Sequence, residues 1–166
     1  VAGEAQQLLD SENMAELAAF CTESWAISTE TDAGSDSWEA AACRCLQDLE
    51  ILEPDWLALL KQWEQAPELP GFAPQDPEKL ERIAVYFAFR YLLKAVNDGD
   101  LLGRAQFCAL GVLVTDRLSR FVGLPEALRL FSREIEHNGD NLDTLLEQFW
   151  QTEGLSLSAL LAAFGG

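Results

Sequence analysis

The lone histidine of the chain, His137, lies in a segment whose residue types could do chemistry. The segment reads SREIEH from Ser132 to His137, so Glu134 and His137 have the Glu-x-x-His spacing of a helical metal-ligand pair. A di-iron bundle site needs a second such pair, and zinc needs three or four protein ligands. Because the chain has one histidine and no Cys-x-x-Cys pair, we expect no metal site.

A nucleophile and its base are the other chemistry that His137 could support. Ser132 lies five residues earlier on the same predicted helix, which is a poor approach for such a pair. The sequence contains no Gly-x-Ser-x-Gly elbow, no glycine-rich phosphate loop and no dinucleotide-binding fingerprint after a strand. We therefore expect no catalytic residue, and the residues identify no cofactor-binding position.

The polar residues around His137 also have a structural interpretation. A histidine in the last turn of a helix complements the helix dipole and can reach a free carbonyl. Asn138-Gly139 then breaks the helix, and Asp140 suits the cap of the next one. The segment therefore reads as the end of one helix followed by the start of another.

Only helical periodicity appears along the chain, and no alternating run bounded by hairpin turns indicates a strand. We predict an all-α fold, an irregular bundle of about six to eight helices around two long antiparallel central helices, in a single helical domain over residues 1–166. A loop is predicted at 22–37, and a proline-rich loop at 66–77 separates an N-terminal helical part from the central helices. The predicted helices are 3–21, 37–52, 54–66, 77–96, 101–121, 125–137, 141–151 and 157–164.

The two central helices follow one another through a short turn. Asp76 caps the first and Pro77 fits its first position. In the turn, Gly99 suits a left-handed residue after a helix end, and Asp100 suits the N-cap of the second central helix. The first central helix is apolar on two faces, which predicts burial of both. One face is Leu80, Ile83, Ala84, Phe87, Tyr91 and Ala95, and the other is Val85, Phe89, Leu92 and Val96.

Arg90 lies within the aromatic segment YFAFRY of the first central helix. A buried guanidinium needs a carboxylate partner. We predict an ion pair with Glu134 or Glu136 that joins this helix to the REIEH helix.

The charge of the chain limits its partners. The formal net charge is −17, and nine of the eleven Lys and Arg residues lie between Lys79 and Arg133, where we expect them to pair with acids. Such a field repels nucleic acid and anionic membranes, and the longest apolar run, Phe107–Val114, is too short for a membrane helix. We therefore expect a protein that binds neither nucleic acid nor a membrane. The sequence has no signal-peptide pattern and its cysteines read as reduced thiols, so we expect it to be cytoplasmic. The chain begins with Val rather than Met, which is compatible with a piece of a longer protein.

Two blocks of this sequence resemble the carboxy-terminal helical part of the flagellin lysine-N-methylase family. The first block is YFAFRYLLKAVNDGDLLGR and the second is LFSREIEHNGDNLDTLLEQF. The matching positions are Phe89-Arg90-Tyr91, Lys94-Ala95, Asp98 to Leu101, Ser132 to His137 and Asn141-Leu142. Weaker similarity includes LEILEPDWLALLKQW, so that the resemblance covers roughly residues 40–149.

The resemblance implies lysine methylation with S-adenosylmethionine and an amino-terminal cysteine cluster that holds iron–sulfur. None of those cysteines is present here, so it implies cofactors elsewhere in such a protein and none in this chain. We expect a non-catalytic helical domain that binds a substrate protein such as flagellin, or packs on the cysteine-rich catalytic module. Its motif residues are Arg90, Asp98, Asp100, Arg133, Glu134, Glu136 and His137.

Two alternatives stay open. One is a free-standing interaction or scaffold protein that shares only the fold, because fold similarity does not fix activity. The other is a small methyltransferase-related enzyme, with a pocket between the central helices where several motif residues converge. These residues are Arg90, Asp98, Asp100, Glu134 and His137.

Overall fold

The computed structural model describes residues 37–66 and 76–164, all within one compact unit, Gly34–Gly166. These ranges contain eight α-helices and no strand, which confirms the all-α class. The predicted helix 3–21 and nearly all of the two predicted loops (22–36 and 67–75) lie outside them. The helices are α1 (Trp38–Asp48), α2 (Pro54–Gln65), α3 (Pro77–Tyr91), α4 (Ala95–Asp98), α5 (Leu101–Val122), α6 (Leu124–Phe131), α7 (Gly139–Gln148) and α8 (Leu157–Ala162). Short 3-10 segments cover Leu92–Lys94 and Glu153–Leu155, and a π-helix covers Ser132–Glu136.

Helix α5 is the centre of the described fold. Its residues from Leu110 to Thr115 are all buried, and α3, α6 and α8 pack around it. A helix that is apolar through most of its circumference must be covered on most sides, as the sequence predicts. No helix in the described ranges is both long and apolar enough to cross a membrane.

Aromatic rings fill the contact between α3 and α5. The Tyr91 and Phe107 ring centroids are 4.7 Å apart, and Phe87 packs edge-on against both Phe107 and Phe131. The earlier residue Phe87 also reaches the later residue Gly111, so the contacts run in opposite order along the two helices. This order confirms that the two central helices are antiparallel neighbours.

Helix α3 is buried on one face only, and the prediction that both faces are covered is wrong. The face containing Ile83, Phe87 and Tyr91 lies in the core. On the other face, Phe89 and Val96 are 76% and 86% exposed. Periodicity shows that a helix has two apolar stripes, but it does not show that a neighbour covers each of them.

The helix caps are those that local sequence favours, with two changes. Asp76 and Asp100 each accept a hydrogen bond from the first turn of their helix, as predicted, and Ser156 does the same for α8. Helix α1 is capped by Ser37. Asp36, which local sequence favours as this cap because Glu39 follows three residues later, lies outside the described residues. Helix α7 is capped by the Asn138 side chain, and Asp140 is instead in its first turn. Asparagine caps as well as aspartate does, and it comes first along the chain.

Gly123 joins α5 to α6 with φ +81° and ψ 155°, a region that residues with a Cβ avoid. A methyl group there would meet no atom within 4 Å, so any cost comes from the backbone alone. We expect Gly123→Ala to lower the free energy of unfolding in urea by about 1–3 kcal/mol. Gly139 is the matched control because its surroundings are equally open and its φ is not positive. Equal effects of the two substitutions would contradict this account.

Candidate functional site

The SREIEH segment forms a π-helix that extends α6. The His137 N–H donates to the Ser132 carbonyl oxygen at 2.9 Å, a bond that spans five residues instead of four. The wider turn places residues five apart next to each other. Single π-turns inside helices occur frequently at functional sites.

Glu134 is fully buried and points at the chain just before α2. Its Oε2 accepts from the Leu52 N–H at 2.9 Å, and its Oε1 accepts from the Glu53 N–H at 2.6 Å. A carboxylate near a helix N-terminus is also favoured by the helix dipole. Glu134 therefore anchors the loop that leads into α2, and it does so from a distant part of the chain.

Asn141 holds the same loop two residues earlier, at Glu50. Its Oδ1 accepts from the Glu50 N–H at 3.0 Å, and its Nδ2 donates to the carbonyl oxygens of Glu50 and Glu134, both at 2.8 Å. The sequence predicts that this helix ends at Leu52, and these bonds explain why α1 ends at Asp48 instead. The backbone groups that would continue α1 are bonded to α7 and the π-helix instead.

Two exposed arginines bind the carboxylate of Glu53, at the end of this loop. Both Glu53 oxygens accept from Arg129, at 3.2 and 3.0 Å, and Arg133 Nε lies 2.9 Å from Glu53 Oε1. Hydrogen bonding to Arg129 is the main cause that lowers the pKa of Glu53 below its ordinary value of 4.5. Arg133 is thus an ion-pair residue of this loop.

The lowered pKa of Glu53 predicts a pH dependence of stability. A depressed carboxyl pKa stabilises the fold above the unfolded value and loses this contribution as pH falls through the folded value. We expect Glu53→Gln to be less stable than the parent protein near neutral pH, and the difference to shrink as pH falls below 4.5. Urea unfolding across this range measures it, with Glu147→Gln as an exposed control. A difference that stays constant with pH would contradict the prediction.

Arg90 pairs with Glu136, which confirms one of its two predicted partners. Arg90 Nε lies 3.4 Å from Glu136 Oε1, and the hydroxyls of Tyr86 and Tyr91 donate to the same oxygen at 2.8 and 2.9 Å. The prediction of a buried guanidinium is wrong, since the Arg90 side chain is 42% exposed and the Glu136 side chain only 4%. The buried member of the pair is the acid, which the two tyrosines and Arg90 satisfy together.

The two tyrosines remain protonated donors in this cluster. Burial, followed by the hydrogen bond to Glu136, raises the pKa of Tyr86. Burial also raises the pKa of Tyr91 well above its ordinary value, although its bond to Arg90 acts in the opposite direction. The cluster is therefore a fixed hydrogen-bond network that ties α3 to the π-helix.

His137 is exposed and turns back on its own helix. Its Nδ1 lies 3.0 Å from the Ser132 carbonyl oxygen and 3.1 Å from Ser132 Oγ. The poor approach predicted for this pair is wrong, because a π-turn brings residues five apart together. Both contacts of the Nδ1 atom are with Ser132, in the first turn of the same π-helix. The contact is a helix-end bond, as the structural interpretation predicts.

Asp98 and Asp100 form the turn between α4 and α5. Asp98 accepts from the Asp100 N–H at 3.0 Å and from Arg104 at 2.6 and 3.1 Å, while Asp100 caps α5 through the Gly103 N–H. Gly99 is left-handed there, with φ +75°. Among the described residues, no hydrogen bond or ion pair connects this turn with the SREIEH segment.

In the part of the chain that the structure describes, the motif residues form no metal-ligand group and do not line the pocket between α1 and α2. A pocket of about 170 Å³ lies between α1 and α2, where Cys43 and Trp63 are among its lining residues, and no motif residue lines it. Within residues 37–66 and 76–164, no group of three His, Cys, Asp or Glu side chains is arranged to hold a metal ion. Burial raises the pKa of Cys43 and Cys45, and that of Cys108 to about 11.

The structure adds residues to the site that sequence reasoning did not single out. Tyr86, Tyr91, Asn141, Arg129 and Glu53 supply most of the partners of the motif residues. Asn141 falls in a block used for the family resemblance, which is the one signal that could have identified it. The motif residues thus form two structural units, the turn at 98–100 and the anchored π-helix.

Neither a protein-family model, nor a curated protein, nor a solved structure matches this chain.

Proposed function

We propose that this chain is a non-catalytic helical domain of a lysine-N-methylase-like protein, which binds the substrate protein or packs on a catalytic module. The observation that supports this most is the state of Glu134. Both of its oxygens are bonded to backbone N–H groups of a neighbouring loop, and the residue is fully buried. A carboxylate in that position cannot act as a base or bind a ligand unless the loop is released.

The other motif residues support the same proposal. Glu136 is enclosed by two tyrosines and Arg90, Arg133 binds Glu53, and the turn aspartates bind local N–H groups and Arg104. Catalytic side chains usually point into a cleft that a substrate can enter. The motif residues of this chain connect helices and turns instead. Such contacts stabilise a domain whose surface binds a partner.

The partner in this proposal is a protein. Flagellin or another lysine-bearing substrate suits an acidic surface, since the formal charge of −17 attracts basic segments over a distance of about a Debye length, about 8 Å at physiological salt. The methyl donor and the iron–sulfur chemistry belong to the separate cysteine-rich module.

The test combines activity and binding. The purified chain is incubated with S-adenosylmethionine and flagellin, and methyl-lysine is measured by mass spectrometry. We expect no methyl transfer by the chain alone, and binding to flagellin or to a cysteine-rich module of the family in a pull-down or by calorimetry. Methyl transfer by this chain would overturn the proposal.

A free-standing scaffold is the second candidate, and the exposed apolar face of α3 favours it because such a face needs no catalytic module. The same pull-down separates the two. Failure to bind both flagellin and the cysteine-rich module, together with capture of an unrelated helical partner, would favour the scaffold.

A further inference from the structure

An apolar row runs along the outside of α3 and α4. It consists of Val85, Phe89, Leu93 and Val96, which are 54%, 76%, 60% and 86% exposed. We call these four residues the α3 row. Their spacing of four, four and three places them along one face of a helix.

The α3 row is more than scattered surface hydrophobicity. Tyr86, which is 43% exposed, lies beside it, so that large apolar side chains continue over three helical turns. Contiguous exposed apolar surface on a soluble protein marks an interaction site more often than single exposed residues do. A row with this spacing is the surface that helix-in-groove recognition uses.

Two basic side chains, Arg90 and Lys94, lie along one edge of the carboxy-terminal part of the row, although the chain as a whole is strongly acidic. At the amino-terminal end Arg82 is exposed but ion-paired with Glu78, so its charge is already matched. Arg90 uses its Nε for its contacts with Tyr91 and Glu136. Lys94 lies 4.9 Å from the centre of the Tyr91 ring, and no carboxylate among the described residues pairs with it.

We infer that the α3 row docks an amphipathic helix of a protein partner, with acidic residues beside the apolar face of that helix. Apolar contact along the row would supply the burial, and Arg90 and Lys94 would select acidic neighbours on the partner. This surface goes beyond the proposed methylase relationship and does not depend on it.

Charge argues against an anionic membrane and a lysine-rich segment as occupants, and sedimentation, described below, tests for a second copy. An anionic membrane is a large surface and is repelled by the net charge of the whole chain, which is −17. A docked helix is small, so it interacts mainly with the charges of the row and its edge. A lysine-rich segment would be repelled by the same edge.

The test uses the full chain and two synthetic peptides of about five helical turns, with the same leucine face and either glutamate or lysine beside it. Binding is measured by fluorescence anisotropy at low and high salt. We expect the acidic peptide to bind about tenfold more tightly than the basic one, and the preference to weaken with salt. A reversed preference, or none, would overturn the inference.

Variants locate the surface. Phe89→Ala is expected to weaken binding of the acidic peptide about 30-fold, the loss typical of a central aromatic anchor. Lys94→Glu, which leaves the Arg90–Glu136 pair in place, is expected to weaken the preference for the acidic peptide. Trp150→Ala is the control, because Trp150 is 69% exposed but lies outside the row. Circular dichroism checks that each variant is folded, and equal losses for Phe89→Ala and Trp150→Ala would contradict the location.

Two further measurements address the other occupants directly. Sedimentation of the chain at increasing concentration and flotation with phosphatidylserine vesicles are carried out with the parent protein and with Phe89→Ala. Self-association or vesicle binding that Phe89→Ala removes would overturn the inference in favour of a second copy or a membrane. A photo-cross-linker is also placed at position 89 and activated in the presence of the acidic peptide. Reaction within its own chain would overturn the inference that a partner helix occupies the α3 row.

Discussion

Glu134→Ala is expected to lower the free energy of unfolding by about 3–4 kcal/mol, because two partly buried N–H groups lose the acceptor that a fully buried carboxylate provides. The two groups belong to Leu52 and Glu53, at 2.9 and 2.6 Å from the carboxylate oxygens. Each bond to a charged group contributes about 1.5–3 kcal/mol, and part of the loss is recovered when water enters the loop. Urea unfolding followed by circular dichroism measures the change.

Two variants separate the loop anchor from general effects of losing an acid. Glu134→Gln keeps the shape but offers one acceptor oxygen and an NH2 group that faces an N–H, so an intermediate loss is expected. Glu147→Ala removes an exposed carboxylate of α7 and is expected to change stability by at most about 0.5 kcal/mol. A loss below about 1 kcal/mol for Glu134→Ala would mean that Glu134 does not hold the loop.

The parts of this fold that could be predicted from sequence are those decided by neighbouring residues. Asp100 caps α5 and Gly99 is left-handed because each needs only the backbone a few residues away. The stripe Trp56, Leu59, Leu60 and Trp63 is buried because a helix with one apolar face must cover it. The resemblance to the lysine-N-methylase family stays a prediction, since no comparison tests it.

The parts that could not be predicted depend on residues far apart in the chain. Glu134 anchors a loop that is 81–82 residues earlier, and no local pattern specifies such a partner. The exposed face of α3 was missed for the opposite reason, because a second apolar stripe fits a covered helix and a docking surface equally well.

Phe87→Ala is expected to have the largest effect, a loss of about 3–5 kcal/mol, which is typical of a fully buried phenylalanine. The Phe87 ring has no exposed surface and packs against Tyr91, Phe107 and Phe131. Its removal leaves a cavity between α3, α5 and α6 that rigid aromatic neighbours cannot close. Urea unfolding measures the loss, and Phe89→Ala on the exposed face of α3 is the matched control, with a change near zero.

Gly111 shows that the ring and the backbone of α5 fit each other. A Cβ on Gly111 would lie 2.9–3.2 Å from three atoms of the Phe87 ring, so Gly111→Ala is expected to destabilise the parent protein by about 1–2 kcal/mol. In the Phe87→Ala background this clash is absent, and alanine is favoured over glycine inside a helix by about 1 kcal/mol. Gly111→Ala should therefore change sign and become stabilising there. If it were destabilising in both backgrounds, the close approach of the ring to α5 would not be what selects glycine at this position.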